Sequence, residues 1–151
     1  EDGIRDRSPS RGLGDVYKRQ VEMMEKIKLE EQAASSSIID INGTGMRIGV
    51  IELPTFYIDF AAQAEGKADY KSTSRDVKKL IASLMDEKIN GLIIDLRGNG
   101  GGSLSEALNL TGFFIDEGPI VQTKDATGKV EINYDPNAGI VFPGPLAVLV
   151  D

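Results

Sequence analysis

No part of this chain leaves less freedom to the fold than residues 91–106, GLIIDLRGNGGGSLSE. The run Leu92–Ile94 is unbroken and rich in β-branched side chains, which predicts a strand buried on both faces. A charged pair, Asp95 and Arg97, and a glycine cluster then stop the strand and open backbone angles closed to other residues. Ser103 and Glu106 stand at the spacing of a helix-capping box, ahead of the apolar positions Leu104, Ala107 and Leu108. The spacing therefore predicts a buried strand, a glycine turn and a helix N-terminus in immediate succession.

Such a turn has consequences for chemistry. Successive glycine amides can point inward together and form a nest for negative charge. The first helical turn adds unpaired N–H groups and the positive end of a dipole. A phosphate, a carboxylate or the oxyanion of an acyl-transfer transition state would suit this place. A tight strand-to-helix turn with no ligand is the plain alternative. The common phosphate motifs do not fit, because no Gly-Lys-Ser/Thr ending follows and the glycine spacing is not that of a dinucleotide fingerprint.

Composition narrows the chemistry further. The 151 residues permit one domain with a real core, and the net charge of −7 argues against nucleic acid as a partner. Histidine and cysteine are both absent. That removes a Ser-His-Asp triad, a thiol nucleophile, disulfides and the usual zinc ligand sets. No metal and no cofactor is expected. No apolar run reaches the length of a membrane span, and no signal peptide is visible.

Residues 1–20 differ from the rest. They alternate charge, Gly, Ser and Pro, and they resemble translated sequencing-adapter read-through; a natural disordered leader is the alternative. Val21–Glu31 alternates weakly and reads as a strand, with a short helix over Val21–Lys26 as the other possibility. Ser37–Ile41 and Met46–Leu53 read as a hairpin about Asn42-Gly43. Pro54 ends the second arm. Thr55–Phe60 is aromatic and apolar in a loop, and reads either as a core plug or as a wall of a substrate groove, with Phe56 and Tyr57 as the candidates. Ala61–Lys71 is small and polar, and is expected to be mobile. Ser72–Lys88 carries Val77, Leu80, Ile81, Leu84 and Met85 at helical spacing. Later strands are expected at 118–123, 130–133 and 145–150, with Asp125–Gly128 as a hairpin turn. The last of these is uniformly apolar and is expected to be buried. Because it ends at Asp151, truncation of the domain is expected.

Several of these segments together resemble the carboxy-terminal processing peptidases, also called tail-specific proteases. The resemblance is carried by Ile94–Gly102, Glu106-Ala107, Phe114-Ile115, Gly118–Gln122 and Gly144–Asp151, and reaches back through Ile48–Leu53 with Phe56-Tyr57. It is closest to the long periplasmic branch. It implies an α/β fold with a crotonase/ClpP-like core, truncated here, in which a mixed sheet packs against helices. Residues 21–45 would follow a missing PDZ module, and 46–151 would form the N-terminal half of the catalytic domain. The implied activity is serine endopeptidase cleavage near protein C-termini by a Ser-Lys dyad, with substrates that expose their C-termini and a periplasmic or inner-membrane location in a bacterium. Both dyad members would lie beyond Asp151, so this chain alone is expected to be inactive. What it would supply is an oxyanion hole from the backbone amides of Gly100 and Gly101, with Phe56, Tyr57 and Gly102 bordering the substrate.

Other roles stay open at this point. Ser103 and Ser105 lie beside the glycines, but Ser103 has the position of an N-cap. Asp95 and Arg97 either orient a substrate or pin the turn. Lys78 and Lys79 read as solvated charges on a helix face. A crotonase-like acyl-CoA enzyme and a non-catalytic peptide-binding relative are the alternatives to the peptidase.

Overall fold

The computed structural model describes residues 10–137 and 139–151. It divides into two units, Glu1–Glu31 and Gln32–Asp151. The first nine residues of the adapter-like segment lie outside the described residues. From Ser10 the first unit is a helix, α1, spanning Ser10–Glu31. The strand expected over Val21–Glu31 is thus corrected to helix. Its Met, Glu, Lys and Leu content favours helix, and Glu22 and Lys26 stand in the stabilising i, i+4 order. A weak alternation of apolar residues was a poorer guide than these preferences.

In the second unit β1 (Ser35–Ile41) and β2 (Met46–Glu52) form the expected hairpin, with Ile41 opposite Met46. Thr44 closes its turn by donating from both its N–H and its hydroxyl to the Ile41 carbonyl. After Pro54 a loop leads to a short helix, α2 (Phe60–Ala64), where a mobile stretch was expected. Asp59 starts it by accepting the Ala62 N–H at 2.9 Å.

Helix α3 (Thr73–Asp86) has Ser72 as its N-cap and buries Val77, Ile81 and Leu84. Met85, at the rim of the same stripe, is exposed. The chain leaves α3 through Lys88, whose φ of 58° lies in the left-handed region. The stop is therefore Lys88.

Strand β3 (Gly91–Asp95) follows, then α4 (Leu104–Gly112), β4 (Pro119–Lys124), β5 (Val130–Tyr134) and β6 (Leu146–Leu149). The main sheet has the order β1-β2-β3-β6; β2, β3 and β6 run parallel and β1 is antiparallel. Strands β4 and β5 form a separate antiparallel pair across the expected Asp125–Gly128 turn. This is a mixed α/β architecture, as the sequence implied.

The core sits between α3 and the strands. Leu92 and Ile94 are 2% exposed, Ile51 is fully buried, and Ile81 and Val77 of α3 are fully buried as well. Ile93 is half-buried, so β3 is completely covered on one face only. The expectation for the last strand is corrected. Leu146 and Val148 of β6 remain exposed although they continue the rows of Leu92 and Ile94. Strand β6 pairs with β3 alone, and no helix among the described residues packs on it.

Candidate active site

Strands β2 and β3 end side by side, with Glu52 opposite Asp95. Parallel sheets gather their functional groups beyond such carboxyl ends. A cleft of about 360 Å³ opens there, lined by Glu52, Leu53, Pro54, Asp95, Arg97 and Gly98. The glycine turn begins here, with Gly98 in the lining. Its start is fixed by the Leu96 N–H donating to Leu149 O at 2.9 Å and the Gly98 N–H donating to Asp151 Oδ2 at 3.0 Å. The end of β6 therefore lies beside the turn.

Asp95 and Arg97 pin the turn rather than reach for a ligand. Arg97 donates from Nη2 and Nε to the Asp95 carboxylate, at 2.6 and 3.0 Å, and its own N–H adds a third contact at 3.0 Å. Hydrogen bonding from the guanidinium holds the Asp95 carboxyl below the usual carboxylate range.

The middle of the turn is stapled to the loop after β2. Phe56 N–H donates to Gly101 O at 2.9 Å, and the Thr55 hydroxyl donates to the same oxygen at 2.7 Å. Ser103 N–H returns to Phe56 O at 2.8 Å. Phe56 and Gly102 thereby form a short parallel bridge. A side chain at Gly102 has no room: its φ is 138° and a Cβ would stand 2.3 Å from Phe56 O.

The sequence-predicted residues divide as follows. Gly100 is exposed, and its N–H has no hydrogen-bond partner among the described residues. The Gly102 N–H is likewise unpartnered there. The Gly101 N–H is occupied, donating to Asn99 Oδ1 at 2.8 Å. Phe56 is half-buried beside the turn. Tyr57 does not line a groove: it is 4% exposed and its hydroxyl donates to Asp76 Oδ2 at 2.8 Å while accepting the Ala34 N–H. Of the two readings left open for Tyr57, the core plug is the correct one. Successive side chains of an extended segment point to opposite sides, so Phe56 and Tyr57 cannot share one wall.

Burial pushes the Tyr57 phenol up from its ordinary value of 10.0. The unfolded chain then loses this proton near pH 10 while the native state keeps it. Stability contributed by Tyr57 is complete below that pH and falls as pH rises above it. Urea midpoints measured between about pH 9 and 11 should decline with pH in the wild type and decline less in Tyr57→Phe. Parallel curves would refute this.

Ser103 is an N-cap, accepting the Glu106 N–H at 3.4 Å, and its hydroxyl lies 2.8 Å from that of Ser105. The capping box is only half formed. The Glu106 side chain, 2% exposed, turns away from Ser103 and accepts the Ser74 N–H of α3 at 2.7 Å. The first turn of α3 is completed by Thr73 N–H to Tyr57 O and Arg75 N–H to Ser72 Oγ. A buried carboxylate at a helix N-terminus meets both the unpaired amides and the dipole.

Among the described residues no cluster of acidic side chains is arranged to hold a metal ion, and no helix is long and apolar enough to cross a membrane. Sequence reasoning missed Asn99, the residue that organises the turn. Its position between two glycines, two residues before Gly101, is the signature of an Asx-turn.

A parallel-sheet carboxyl end, a glycine turn and a following capped helix are a setting that suits negative charge, whether phosphate, carboxylate or oxyanion. Comparison with known proteins gives the chain a family. Residues 47–151 match peptidase family S41, and the chain belongs to that family. It is 37% identical over 127 residues to the tail-specific protease of Haemophilus influenzae, covering 84% of this chain and 16% of that protein. It is 32% identical over 120 residues to the chloroplastic carboxyl-terminal-processing peptidase 2 of Arabidopsis thaliana, covering 77% of this chain and 21% of that one. The fold is similar to a photosystem II D1 C-terminal processing protease, with a TM-score of 0.59 and 20% identity over 78% of this chain and 29% of that structure. The chain thus spans less than a quarter of the length of these two curated relatives. The family match sets aside the acyl-CoA alternative.

Proposed function

We propose that this chain is part of a serine endopeptidase that cuts proteins near their C-termini, and that its share of the machinery is the oxyanion-binding turn. The observation that carries the reading is the pair of unpartnered amides, Gly100 and Gly102, at the carboxyl end of β3 in a member of family S41. Gly101, which the sequence suggested as a donor, is left out because its N–H is engaged by Asn99.

The chemistry follows from what these residues lack and what they offer. A serine hydroxyl supplied outside this chain attacks the scissile carbonyl, and a lysine amine, also supplied outside it, takes the proton. Desolvation lowers the lysine pKa enough for it to act as a base. The carbonyl oxygen becomes an oxyanion and is held by the Gly100 and Gly102 N–H groups. Collapse expels the amine, which takes the proton from the lysine, and leaves an acyl-enzyme for water to hydrolyse. Removing one such donor from an oxyanion hole lowers kcat by about 100- to 1,000-fold. Substrates with exposed C-termini and an exported location, periplasmic or at the inner membrane, complete the proposal and rest on the resemblance to the tail-specific protease family.

The test compares the complete gene product with the 151-residue chain on an unfolded protein bearing an apolar C-terminal tail. The complete protein should hydrolyse it and the chain should not. Turnover by the chain alone, or none by either, overturns the proposal.

A further inference from the structure

The sequence reading placed the oxyanion donors at Gly100 and Gly101, with Gly102 bordering the substrate. The hydrogen bonds divide the three amides differently. Asn99 has two functional ends and the structure uses both. Its Nδ2 donates to Leu53 O at 2.7 Å, and its Oδ1 accepts the Gly101 N–H at 2.8 Å. Its backbone N–H closes the turn on Leu96 O at 3.0 Å. The orientation of the carboxamide is fixed by chemistry, since a flipped group would set NH2 against N–H and oxygen against oxygen.

We propose that Asn99 is a positioning residue: it clamps the turn to the end of β2, holds the Gly101 amide inward, and so leaves Gly100 and Gly102 as the donors that face a ligand. The bridge to Phe56 supports this alternation. Gly101 O and Ser103 N face Phe56, so the N–H of the intervening Gly102 faces the opposite way.

Asparagine is the side chain that suits both ends. Aspartate accepts from Gly101 but cannot donate to the Leu53 carbonyl, and glutamine is one methylene too long for the Asx geometry. Alanine leaves Leu53 O and the Gly101 N–H without partners in a partly buried place. A turn no longer clamped will let its amides reorient, and a donor displaced by about 1 Å can cost about 100-fold in rate.

The kinetic part of this inference rests on the proposed peptidase; the structural part does not. Amide hydrogen exchange on the 151-residue chain, read residue by residue by NMR, tests the clamp. The Gly101 N–H should exchange at least about tenfold more slowly than those of Gly100 and Gly102. Asn99→Ala should bring Gly101 to the rate of its neighbours while Phe56 and Ser103 stay protected, and Asn99→Asp should keep Gly101 protected. Wild-type Gly101 exchanging as fast as Gly100 overturns the clamp, as does protection that survives Asn99→Ala. In the complete protein Asn99→Ala should lower kcat about 100-fold with KM changed less than about threefold. An unchanged kcat beside a released Gly101 amide overturns the positioning role. A wild-type protein inactive on tailed substrates would refute the peptidase reading and leave the exchange result to decide the clamp.

Discussion

Gly102→Ala is expected to lower the unfolding free energy by about 3–5 kcal/mol, while Gly100→Ala, two residues away, should be neutral or stabilising by up to about 1 kcal/mol. The contrast comes from their surroundings. At Gly102 the φ of 138° is strained for any L side chain, at about 1–3 kcal/mol. The added Cβ also falls 2.3 Å from Phe56 O, so the bridge must open and the Ser103 N–H must give up its 2.8 Å acceptor. At Gly100 a Cβ meets nothing within 4 Å. Urea denaturation should show a lower midpoint with an unchanged slope for the first variant and little change for the second. Equal midpoints for the two would mean that the Phe56 bridge does not hold the turn.

Ile51→Ala should cost about 3–4 kcal/mol, near the middle of the range for buried Ile-to-Ala changes. Ile51 is fully buried: it lies in β2 beside Ile94, under the apolar stripe of α3. Little backbone freedom is available there, because β2 is paired on both edges. The melting temperature should fall by roughly 10–15 °C. Met85→Ala, on the exposed rim of α3, is the comparison and should stay within about 1 kcal/mol of wild type. A small loss at Ile51 would place the core elsewhere.

The parts of the fold legible in the sequence were those where local and long-range preferences agree. The hairpin at Asn42-Gly43, the stripe from Val77 to Leu84 and the apolar run into the glycine turn each carried one unambiguous period or turn signal. Val21–Glu31 was misread because its apolar residues fit a period of two almost as well as helical spacing, and helix propensity decided the outcome. Strand β6 was misjudged for another reason. Uniform apolarity predicts burial, but burial needs a neighbour to cover the strand, and composition says nothing about neighbours. At the proposed site, which of the turn's amides are already engaged was not legible. Which N–H is free depends on where the Asn99 side chain points, a tertiary fact set by the Leu53 carbonyl forty-odd positions earlier in the sequence.

The route of hydrogen bonds from the glycine turn has one more consequence. Gly101 and Ser103 bond to the Thr55–Phe56 segment, the next residue, Tyr57, accepts the Thr73 N–H and hydroxyl, and Glu106 returns from α4 to Ser74. Turn, loop and both helix starts form a closed circuit. In the proposed reaction, donors mounted on such a frame need no rearrangement when charge develops in front of them. The reorganisation that a solvent shell would undergo there has, on that proposal, already taken place during folding.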